Sequence, residues 1–426
     1  MLEIHYIQAH KDKVIQGLQK RQVQHAATAV EDLLAIDQQR RSTQAALDAA
    51  SAKLNQLTKQ IEQLLKEHKE EAIAATRLQS KALKANIKEL SSQLKAHEEA
   101  LQSALCQLPN LPHPRVPAGK SAEENDIVYQ VESLPHIYDD GPKQPHWELA
   151  AKYDIIDFEL GNKVTGAGFP VYKGKGARLQ RALIHFFLDE ARRAGYEEIQ
   201  PPILVNQHSA YGTGQLPDKE GQMYQLLDEA LYLIPTAEVP ITNLYRDQIL
   251  AKDALPIKNV AYTPCFRREA GSWGSHVRGL NRLHQFDKVE LVEIRMPEES
   301  YEALQAMRSH IEDLLVQLEL PYRVVKLCGG DLGFAAAFTY DLEVFSVGQG
   351  RWLEVSSISN FETYQANRMK LRYKTADNRT KLLHTLNGSA LALPRVVAAL
   401  LEQNQTTQGI SIPPILRPYT GFDIIC

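Results

Sequence analysis

The feature that most constrains this chain is a stretch of 91 residues, from Leu18 to Leu108, that contains neither glycine nor proline. All 23 glycines and 21 prolines of the 426-residue chain lie outside it. These two residues are the ones that most disfavour the interior of a helix, so their joint absence predicts long helices. Residues 1–108 are therefore predicted to form a helical domain that is separate from the rest of the chain.

Apolar residues in this stretch recur with the alternating three- and four-residue spacing of a coiled coil. One such seam runs from Leu33 to Leu64, and a second begins at Leu83. Both seams stop beside the polar segment 66–72, so a turn there would fold two helices into an antiparallel hairpin, an arm over about residues 28–105. The alternative is one continuous helix paired with a second chain. Two helices that bury only each other have no globular core, and such an arm suits contact with a large partner.

Four lysines lie on one flank of the second predicted helix, away from its apolar seam: Lys81, Lys84, Lys88 and Lys95. Three of the four are spaced by seven residues and share a heptad position. A row of ammonium groups can follow a phosphate backbone, which predicts an RNA contact. The alternative is an ordinary solvated helix face, since surface helices carry charged residues away from the core.

Composition excludes several classes of protein. With 44% hydrophobic and 23% charged residues the chain is neither disordered nor, at a net charge of −4, a strongly cationic nucleic-acid binder. An RNA partner stays compatible, because a local basic stripe is sufficient. The four cysteines form no closely spaced pair, and neither an apolar leader nor a run of 18 apolar residues is present. We therefore expect a soluble, cytoplasmic protein.

After Leu108 the pattern changes. Segment 109–119 contains four prolines and ends the helical region, and beyond it short β-rich runs alternate irregularly with helical stretches. Neither a G-x-G-x-x-G motif nor a P-loop occurs, so nucleotide sites of those types find no support. Residues 109–426 are predicted to form an α+β domain built on an antiparallel sheet.

A predicted hairpin carries the first group of chemically useful residues. Its first strand ends near Arg267 and Glu269, a glycine-rich loop follows over Ala270–Gly279, and the return strand contains Phe286 and Glu290. Side chains two residues apart in a strand share a face. The hairpin would thus offer a guanidinium for a phosphate, a carboxylate for an amine and an aromatic ring for a base. Considered alone, an Arg-x-Glu pair beside a hairpin more often forms a surface ion pair.

A second polar segment lies in the predicted strand 352–360. Strict alternation would place Glu354 and Ser356 on one face and Val355 and Ser357 on the other. Carboxylate and hydroxyl oxygens suit Mg²⁺, a hard cation that also binds substrate phosphates. A half-buried sheet edge would show the same pattern.

Two charged residues stand at predicted helix starts. Arg395 follows Pro394 in the first turn of an apolar helix, where a cation opposes the macrodipole, and this hints that an anion binds there. Glu238 lies between two prolines after an apolar strand. It could receive an ammonium ligand, or it could cap a helix.

Taken together, these segments resemble the class II aminoacyl-tRNA synthetases and, within them, the seryl enzymes. The hairpin resembles motif 2 of that class, GSALALPR over 388–395 with the helix after it resembles motif 3, and segment 176–205 resembles motif 1. The segments T-A-E, G-D-L-G-F-A-A-A, E-V-S-S-x-S-N-F-E and T-L-N-G-S are similar to those that set seryl enzymes apart. The N-terminal helices and the P-N-L-P-H linker complete a match that covers essentially the whole chain. Pro394 departs from it, since glycine is usual there, which leaves the backbone path at motif 3 open.

The resemblance implies an enzyme that activates L-serine with ATP and Mg²⁺ and transfers it to tRNA(Ser), with tRNA(Sec) as a second candidate substrate. It also implies a six- or seven-stranded antiparallel sheet and a homodimer built through motif 1. Arg267 would hold the α-phosphate, Glu269 the adenine amino group, and Phe286 the adenine ring. Arg395 would hold the far end of the triphosphate.

Further roles follow from the same resemblance. The implied catalytic residues are Arg267, Glu269 and Arg395. The implied ATP-binding residues are Arg267, Arg268, Glu269, Leu283, Phe286, Glu354, Val355, Ser356, Ser357 and Arg395. Within that set, Glu354 and Ser357 would bind Mg²⁺ or its phosphates. The implied serine-binding residues are Thr236, Ala237, Glu238, Arg267, Glu290, Asn387 and Ser389.

Two other functions fit the sequence less well than a serine-activating enzyme does. A threonyl or prolyl enzyme conflicts with the N-terminal hairpin and with the expectation that no anticodon domain follows the catalytic one. A catalytically inactive paralogue that only binds RNA or a protein would usually lose the motif 2 or motif 3 arginine. Both Arg267 and Arg395 are present.

Overall fold

The computed structural model describes residues 1–132, 143–269 and 278–426. Most of the glycine-rich loop predicted over Ala270–Gly279 therefore lies outside the described residues. None of the described helices is long and apolar enough to cross a membrane. The chain divides into two compact units, one formed by Leu2–Gln19 and Val23–Pro109, the other by Met1, Lys20–Gln22 and Asn110–Cys426.

The helices of the first unit are α1 to α4, and the remainder belong to the second unit. In chain order they are α1 (Ile4–Ala9), α2 (Lys11–Lys20), α3 (Ala26–Lys66), α4 (Glu70–Gln107), α5 (His146–Lys152), α6 (Phe158–Val164), α7 (Gly174–Arg193), α8 (Gln207–Thr213), α9 (Glu238–Asn243), α10 (Ser300–Gln317), α11 (Thr363–Met369), α12 (Leu393–Gln403) and α13 (Arg417–Thr420).

The strands all belong to the second unit. They are β1 (Asp126–Gln130), β2 (Ile156–Asp157), β3 (Val171–Tyr172), β4 (Glu197–Glu198), β5 (Leu204–Asn206), β6 (Tyr224–Gln225), β7 (Leu231–Leu233), β8 (Ile249–Leu250), β9 (Ile257–Phe266), β10 (Gln285–Arg295), β11 (Tyr322–Lys326), β12 (Phe338–Ser346), β13 (Arg351–Asn360), β14 (Arg372–Lys374), β15 (Thr380–Leu382), β16 (His384–Ala392), β17 (Gln405–Thr406), β18 (Gly409–Ser411) and β19 (Ile424–Ile425).

The two long helices of the first unit, α3 and α4, pack against each other and are joined by the short turn 67–69. This confirms the antiparallel hairpin and excludes the single continuous helix. Ala50 and Leu57 of the first predicted seam are buried, as is Leu101 of the second. The second seam begins earlier than the sequence suggested, since Ile73 is already buried in the first turn of α4.

A buried charge interrupts the first seam. Asp37 is only 1% exposed, and its carboxylate accepts hydrogen bonds from Gln8 Nε2 at 2.5 Å and Arg40 Nη2 at 2.9 Å. Arg41 Nε lies 3.0 Å from Asp37 Oδ2, the oxygen that also accepts from Gln8. A buried carboxylate is tolerated when it is paired in this way. The weak seam position at Arg40 is thus explained by a polar cluster at the base of the hairpin.

The second unit is built on an eight-stranded sheet with the order β1-β11-β12-β13-β16-β10-β9-β4. Every neighbouring pair is antiparallel except the last, in which β4 runs parallel to β9. The antiparallel α+β class is confirmed, whereas the expected strand number of six or seven is too low. The added strand at one edge is the two-residue β4, too short to be recognised by any alternation of residue type.

Strand β10 occupies a central place in this sheet. It pairs with β9, where Phe286 faces Cys265, and with β16, where Glu290 faces Ser389. Residues directly opposite each other in neighbouring strands project from the same face. The polar residues of β10 and β16 therefore stand together on one side of the sheet.

A β-bulge in β13 overturns the strict alternation predicted for that strand. Glu354 pairs with Glu343 and Ser356 with Leu342, so Val355 is an extra residue without a cross-strand partner. The inserted residue shifts the alternation by one position. Glu354 and Ser357 consequently share a face, and the prediction that Glu354 shares its face with Ser356 is wrong.

Candidate active site

One face of the large sheet forms the floor of a cavity of about 460 Å³. Strands β10, β13 and β16 contribute to it, together with Arg267 just after β9 and the starts of α9 and α12. The predicted residues that line it are Thr236, Glu238, Arg267, Glu269, Leu283, Phe286, Glu290, Glu354, Val355, Ser356, Ser357, Asn387, Ser389 and Arg395. Ala237, which is fully buried, and Arg268 lie outside this lining.

At one end of the cavity the guanidinium of Arg267 lies over an aromatic ring. Its Cζ is 5.2 Å from the ring centroid of Phe286, within the range of a cation–π contact. The backbone N–H of Arg267 donates to the carbonyl of His284 at 2.9 Å, continuing the β9–β10 pairing by one residue. A cation and an aromatic face are thus held side by side, a combination suited to a phosphate joined to a planar base.

Glu269 is held at the rim of this end by contacts that the sequence did not reveal. Its backbone adopts a φ of +47°, and its N–H donates to Gln222 Oε1 at 3.1 Å. Its carboxylate accepts a hydrogen bond from Arg282 Nε. The ion pair considered for the Arg-x-Glu motif does form, but with Arg282 on the return turn and not with a neighbour on the same strand.

The guanidinium of Arg395 reaches the same cavity from the first turn of α12, where Pro394 is the second helical residue. Its Nη1 donates to the carbonyl of Glu354 at 2.7 Å, and its Nε donates to the carbonyl of Asn281 at 3.2 Å. The Nη1 atom also lies 3.6 Å from the Glu354 carboxylate. The backbone at motif 3, left open by Pro394, is thus a strand followed directly by a helix.

Glu354 and Ser357 project together beside a second acidic residue, Asp341, that the sequence did not single out. Asp341, on β12, stands opposite Ser357 and is hydrogen-bonded to its side chain. Burial, followed by the nearby carboxylate of Glu354, raises the pKa of Asp341 well above its ordinary value. Within the described residues no three His, Cys, Asp or Glu side chains are grouped closely enough to hold a metal ion by themselves. Glu354 and Ser357 supply two oxygen ligands at most, which fits a cation that completes its shell with phosphate and water.

At the opposite end of the cavity the side chains are buried and charged. The ammonium of Lys288 lies 2.5 Å from Glu290 Oε2 and donates to Thr236 Oγ1 at 3.0 Å. The hydroxyl of Ser389 donates to Glu290 Oε2 at 3.3 Å. Lys288 and Glu290 are 5% and 1% exposed, so these charges are nearly removed from water. Alternation places Lys288 on the predicted face, but nothing in the sequence assigns it the role of neutralising Glu290.

Glu238 is the first residue of α9, and the N-cap position before it is occupied by Ala237. The cap alternative is therefore wrong. The side-chain amide of Gln365 donates to Glu238 Oε1 at 2.6 Å, and the Gln365 carbonyl oxygen accepts from Thr385 Oγ1 at 2.6 Å. Burial, together with the nearby charge of Glu290, raises the pKa of Glu238 to about 7. Such a carboxylate gains from a positively charged ligand, because none of its direct partners carries a full charge.

The four lysines of the predicted RNA stripe belong to the other unit. Lys81, Lys84, Lys88 and Lys95 are all exposed on α4. Lys95 Nζ lies 3.9 Å from Glu99, a distance at which an exposed ion pair contributes little. The four ammonium groups are therefore accessible from solvent.

With this geometry in place, the chain can be compared with known proteins. Residues 1–112 match the seryl-tRNA synthetase N-terminal domain, and residues 222–404 match the tRNA synthetase class II core domain (G, H, P, S and T). A serine–tRNA ligase of Salinibacter ruber is 51% identical over 395 residues, which cover 92% of this chain and 92% of the relative. The chain belongs to the seryl-tRNA synthetase family.

Solved structures of other members agree with this assignment. The seryl-tRNA synthetase of Pyrococcus horikoshii, complexed with ATP, matches 100% of this chain and 99% of its own, with a TM-score of 0.92 and 32% identity. The cytoplasmic serine–tRNA ligase of Naegleria fowleri, in complex with AMP, matches 100% and 98% with a TM-score of 0.87 and 26% identity. The family, the fold class and the activity of an ATP-dependent serine–tRNA ligase, all predicted from the sequence, are confirmed. The matches support the ligase over the inactive paralogue.

The raised pKa of Glu238 makes a prediction about stability. Between pH 4.5 and about 7 the folded protein keeps a proton on this carboxyl that the unfolded chain has lost. The contribution of this carboxyl to the free energy of unfolding is therefore complete below pH 4.5. It decreases as the pH rises from 4.5 and is lost once the pH has passed 7. A Glu238→Gln variant does not titrate there, so the wild type should lose roughly 3 kcal/mol relative to it over this interval.

The measurement is the thermal unfolding midpoint of both proteins between pH 4.5 and pH 8. We expect the advantage of the Gln variant to grow up to pH 7 and then to stay constant. Glu229→Gln, in the exposed turn between β6 and β7, controls for the loss of a carboxyl that is in water in both states. A difference between wild type and Glu238→Gln that does not change with pH would contradict the assigned pKa.

Proposed function

We propose that this cavity forms seryl-adenylate, with serine bound at the end that contains Glu238 and Glu290 and ATP bound at the end that contains Arg267 and Phe286. The observation that carries the proposal is the polarity of the cavity. Buried carboxylates occupy one end, and a guanidinium over an aromatic ring occupies the other. An amino acid offers an ammonium group and a nucleotide offers phosphates and a base, so each substrate has one complementary end.

At the serine end, Glu238 and Thr236 would receive the substrate ammonium. The raised pKa of Glu238 falls when a cation neutralises it, so ammonium binding favours the charged carboxylate. Glu290 and Ser389 would bond the serine hydroxyl, with Asn387 beside them in the lining. These groups are buried, so alanine, which lacks the hydroxyl, would leave them without a partner. Sites of this kind can reject such an analogue by roughly 10⁴-fold.

At the nucleotide end, Arg267 would hold the α-phosphate and Arg395 the far end of the triphosphate. The serine carboxylate attacks the α-phosphorus, and the bond between the α- and β-phosphates breaks to release pyrophosphate. A hydroxyl at the 3′ end of tRNA then attacks the adenylate carbonyl, and the bond from that carbonyl to the phosphate oxygen breaks to release AMP. The attacking carboxylate is already ionised, so the first step needs no general base. Catalysis then consists mainly of positioning and charge neutralisation. Arg282 occupies Oε2 of Glu269, so Oε1 would accept from the adenine amino group.

Mg²⁺ is part of this proposal, and the residues present fit it. Glu354 and Ser357 stand on one face beside Arg395, and their oxygens are of the type that Mg²⁺ prefers. When bound with ATP, the ion neutralises phosphate charge. The Glu354 carboxylate is exposed at the cavity, so it is accessible to the ion. Its contact with Arg395 keeps both side chains at the end of the cavity proposed for the triphosphate.

The division of labour between the two units is also proposed. Residues 1–108 would contain the RNA-binding arm, over about residues 28–105, and residues 109–426 would carry catalysis. The exposed lysines of α4 support the first assignment, because tRNA presents a continuous row of phosphates. If the arm recognises a shape that tRNA(Ser) and tRNA(Sec) have in common, both would be charged.

A homodimer and a cytoplasmic location complete the proposal. The motif 1 segment comprises α7, the edge strand β4 and β5. Its strand β4 is the last strand on one side of the large sheet, so a second copy of the chain could pack against this edge. The cytoplasmic location rests on the four cysteines, which are few and form no closely spaced pair, as is typical of proteins in a reducing compartment.

Serine-dependent exchange of pyrophosphate with ATP tests the catalytic proposal. Arg267→Ala should lower the exchange rate roughly 10²- to 10³-fold, as expected when a charge-stabilising donor is lost. Arg379→Ala, which removes an arginine exposed between β14 and β15, should leave the rate unchanged. Absence of exchange in the wild type at saturating serine would refute the proposed function.

The arm proposal is tested by reversing the charge of the stripe. Replacing Lys81, Lys84, Lys88 and Lys95 by Glu should weaken tRNA charging, and flatten its dependence on salt, without changing the exchange rate. The matched control reverses four other exposed lysines of the arm, Lys53, Lys59, Lys66 and Lys69. Equal losses in both variants would show a general effect of charge and contradict the stripe. Deleting residues 28–105 should likewise spare exchange and abolish efficient charging.

A further inference from the structure

His146, the first residue of α5, is completely buried and bonded to a buried carboxylate. Its Nδ1 lies 2.7 Å from Glu402 Oε1, and its backbone N–H donates to the same oxygen at 3.0 Å. Glu402 belongs to α12, two turns after Arg395. The pair therefore connects α5 to the helix that carries a proposed ATP-binding arginine.

Glu402 is surrounded by donors. Its other oxygen accepts from the Ser346 hydroxyl and from the Gly348 N–H, the latter at 3.1 Å, while Gln349 Nε2 lies 3.3 Å from Oε1. Burial acts to raise the pKa of Glu402, but the hydrogen bonds from His146 and Ser346 outweigh it and bring this pKa below its usual value. Glu402 is accordingly an ionised acceptor inside the protein.

The second ring nitrogen of His146 fixes the position of the imidazole proton. The backbone N–H of Leu280 donates to Nε2 at 2.8 Å. An N–H group can donate only to an unprotonated ring nitrogen, so the proton is on Nδ1, where Glu402 accepts it. Both nitrogens are used, and each by a different element of the fold.

The hydrogen bonds continue until they return to α12. Leu280 is followed by Asn281, whose carbonyl accepts from Arg395 Nε at 3.2 Å. The side chain of Asn281 donates to Gln349 Oε1 at 2.9 Å, and Gln349 contacts Glu402. The result is a closed ring of contacts that starts at Glu402 and ends at Arg395 on the same helix.

The turn before Leu280 is shaped to approach the imidazole closely. A Cβ atom at Gly279 would lie 2.2 Å from His146 Nε2, and Gly279 has a φ of +71°, which favours glycine. Next to it, the guanidinium of Arg278 lies 4.8 Å from the ring of Trp147. The turn that precedes β10 thus packs against His146 and Trp147.

We propose that His146 is a positioning residue for the nucleotide end of the active site. Its imidazole fixes the turn 279–283 relative to Arg395, so that Leu283 and the Arg395 guanidinium meet ATP in one arrangement. This role rests on the proposed function, because it presumes that ATP binds between these groups. His146 lines no part of the cavity itself and acts only through Leu280 and Glu402.

Two amide substitutions separate this role from simple filling of the core. In His146→Asn the side-chain amide falls near the position of Nδ1, where it can still donate to Glu402, but the Leu280 N–H loses its acceptor. In His146→Gln the longer side chain can place its amide oxygen near the position of Nε2 and accept from Leu280. Both variants are polar and smaller than or similar to histidine, so they differ chiefly in which hydrogen bond they keep.

The experiment measures the KM for ATP, the KM for serine and kcat of pyrophosphate exchange, together with the thermal midpoint, for the full-length wild type and both variants. We expect His146→Asn to raise the KM for ATP roughly tenfold or more, because a buried N–H group is left without an acceptor. His146→Gln should stay within about threefold of the wild type, and the KM for serine should be unchanged in both. Equal values of the ATP KM in the two variants, or parallel increases for ATP and serine, would overturn the proposal.

A second variant keeps the test open if His146→Asn does not fold. Gly279→Ala leaves the His146–Glu402 pair intact and forces the turn away from the imidazole. It should raise the KM for ATP selectively, and an unchanged KM for ATP would overturn the proposal. If the wild type itself shows no serine-dependent exchange, the proposed function fails instead, so the two failures are distinguishable.

Discussion

Strand β10 lies between β9 and β16, and its two rows of backbone hydrogen bonds fix the face on which Phe286, Lys288 and Glu290 stand. Four residues of an antiparallel strand span roughly 13 Å, so the aromatic end and the carboxylate end of the site are held at a set separation. Every other functional group is placed relative to this strand. Arg267 follows the end of β9, and Ser389 pairs with Glu290 from β16. Glu354 and Ser357 lie on β13, whereas Glu238 and Arg395 reach the cavity from the starts of α9 and α12.

The chemistry of the site depends on charges that the protein keeps out of water. Among the described residues, none places a cation within hydrogen-bonding distance of Glu238, and its pKa rises to about 7, whereas Glu290 is neutralised by Lys288. Keeping an uncompensated carboxylate buried costs stability, and a cationic ligand recovers part of that cost. The side-chain amides of Gln365 and Asn387 hold Glu238 in place, and Thr385 fixes the orientation of the Gln365 amide. Uncharged side chains such as Gln365 and Thr385 thus fix the positions of the few ionised groups that would bind the substrate.

Much of this arrangement follows from local pattern, and what does not depends on long-range contacts. The heptads predicted the hairpin, and alternation predicted the face of β10, because both reflect periodicities of the backbone itself. The bulge at Val355 could not be foreseen, since it arises from pairing with β12 and is not marked by glycine or proline. Gln365, Arg282 and His146 were also missed, because each meets its partner across the fold and has no local signal. The family resemblance supplied roles that residue types alone could not.

The most direct test of the account is a crystal structure with a non-hydrolysable seryl-adenylate analogue, a seryl sulfamoyl adenosine. We predict that the ammonium group lies within hydrogen-bonding distance of Glu238 and Thr236, that the hydroxyl meets Glu290, and that adenine stacks on the Phe286 ring. This orientation would follow from the polarity of the cavity, which offers carboxylates to serine at one end and a guanidinium and an aromatic ring to ATP at the other. An analogue bound in the opposite direction, with adenine against the buried carboxylates, would contradict it, as would binding outside this cavity.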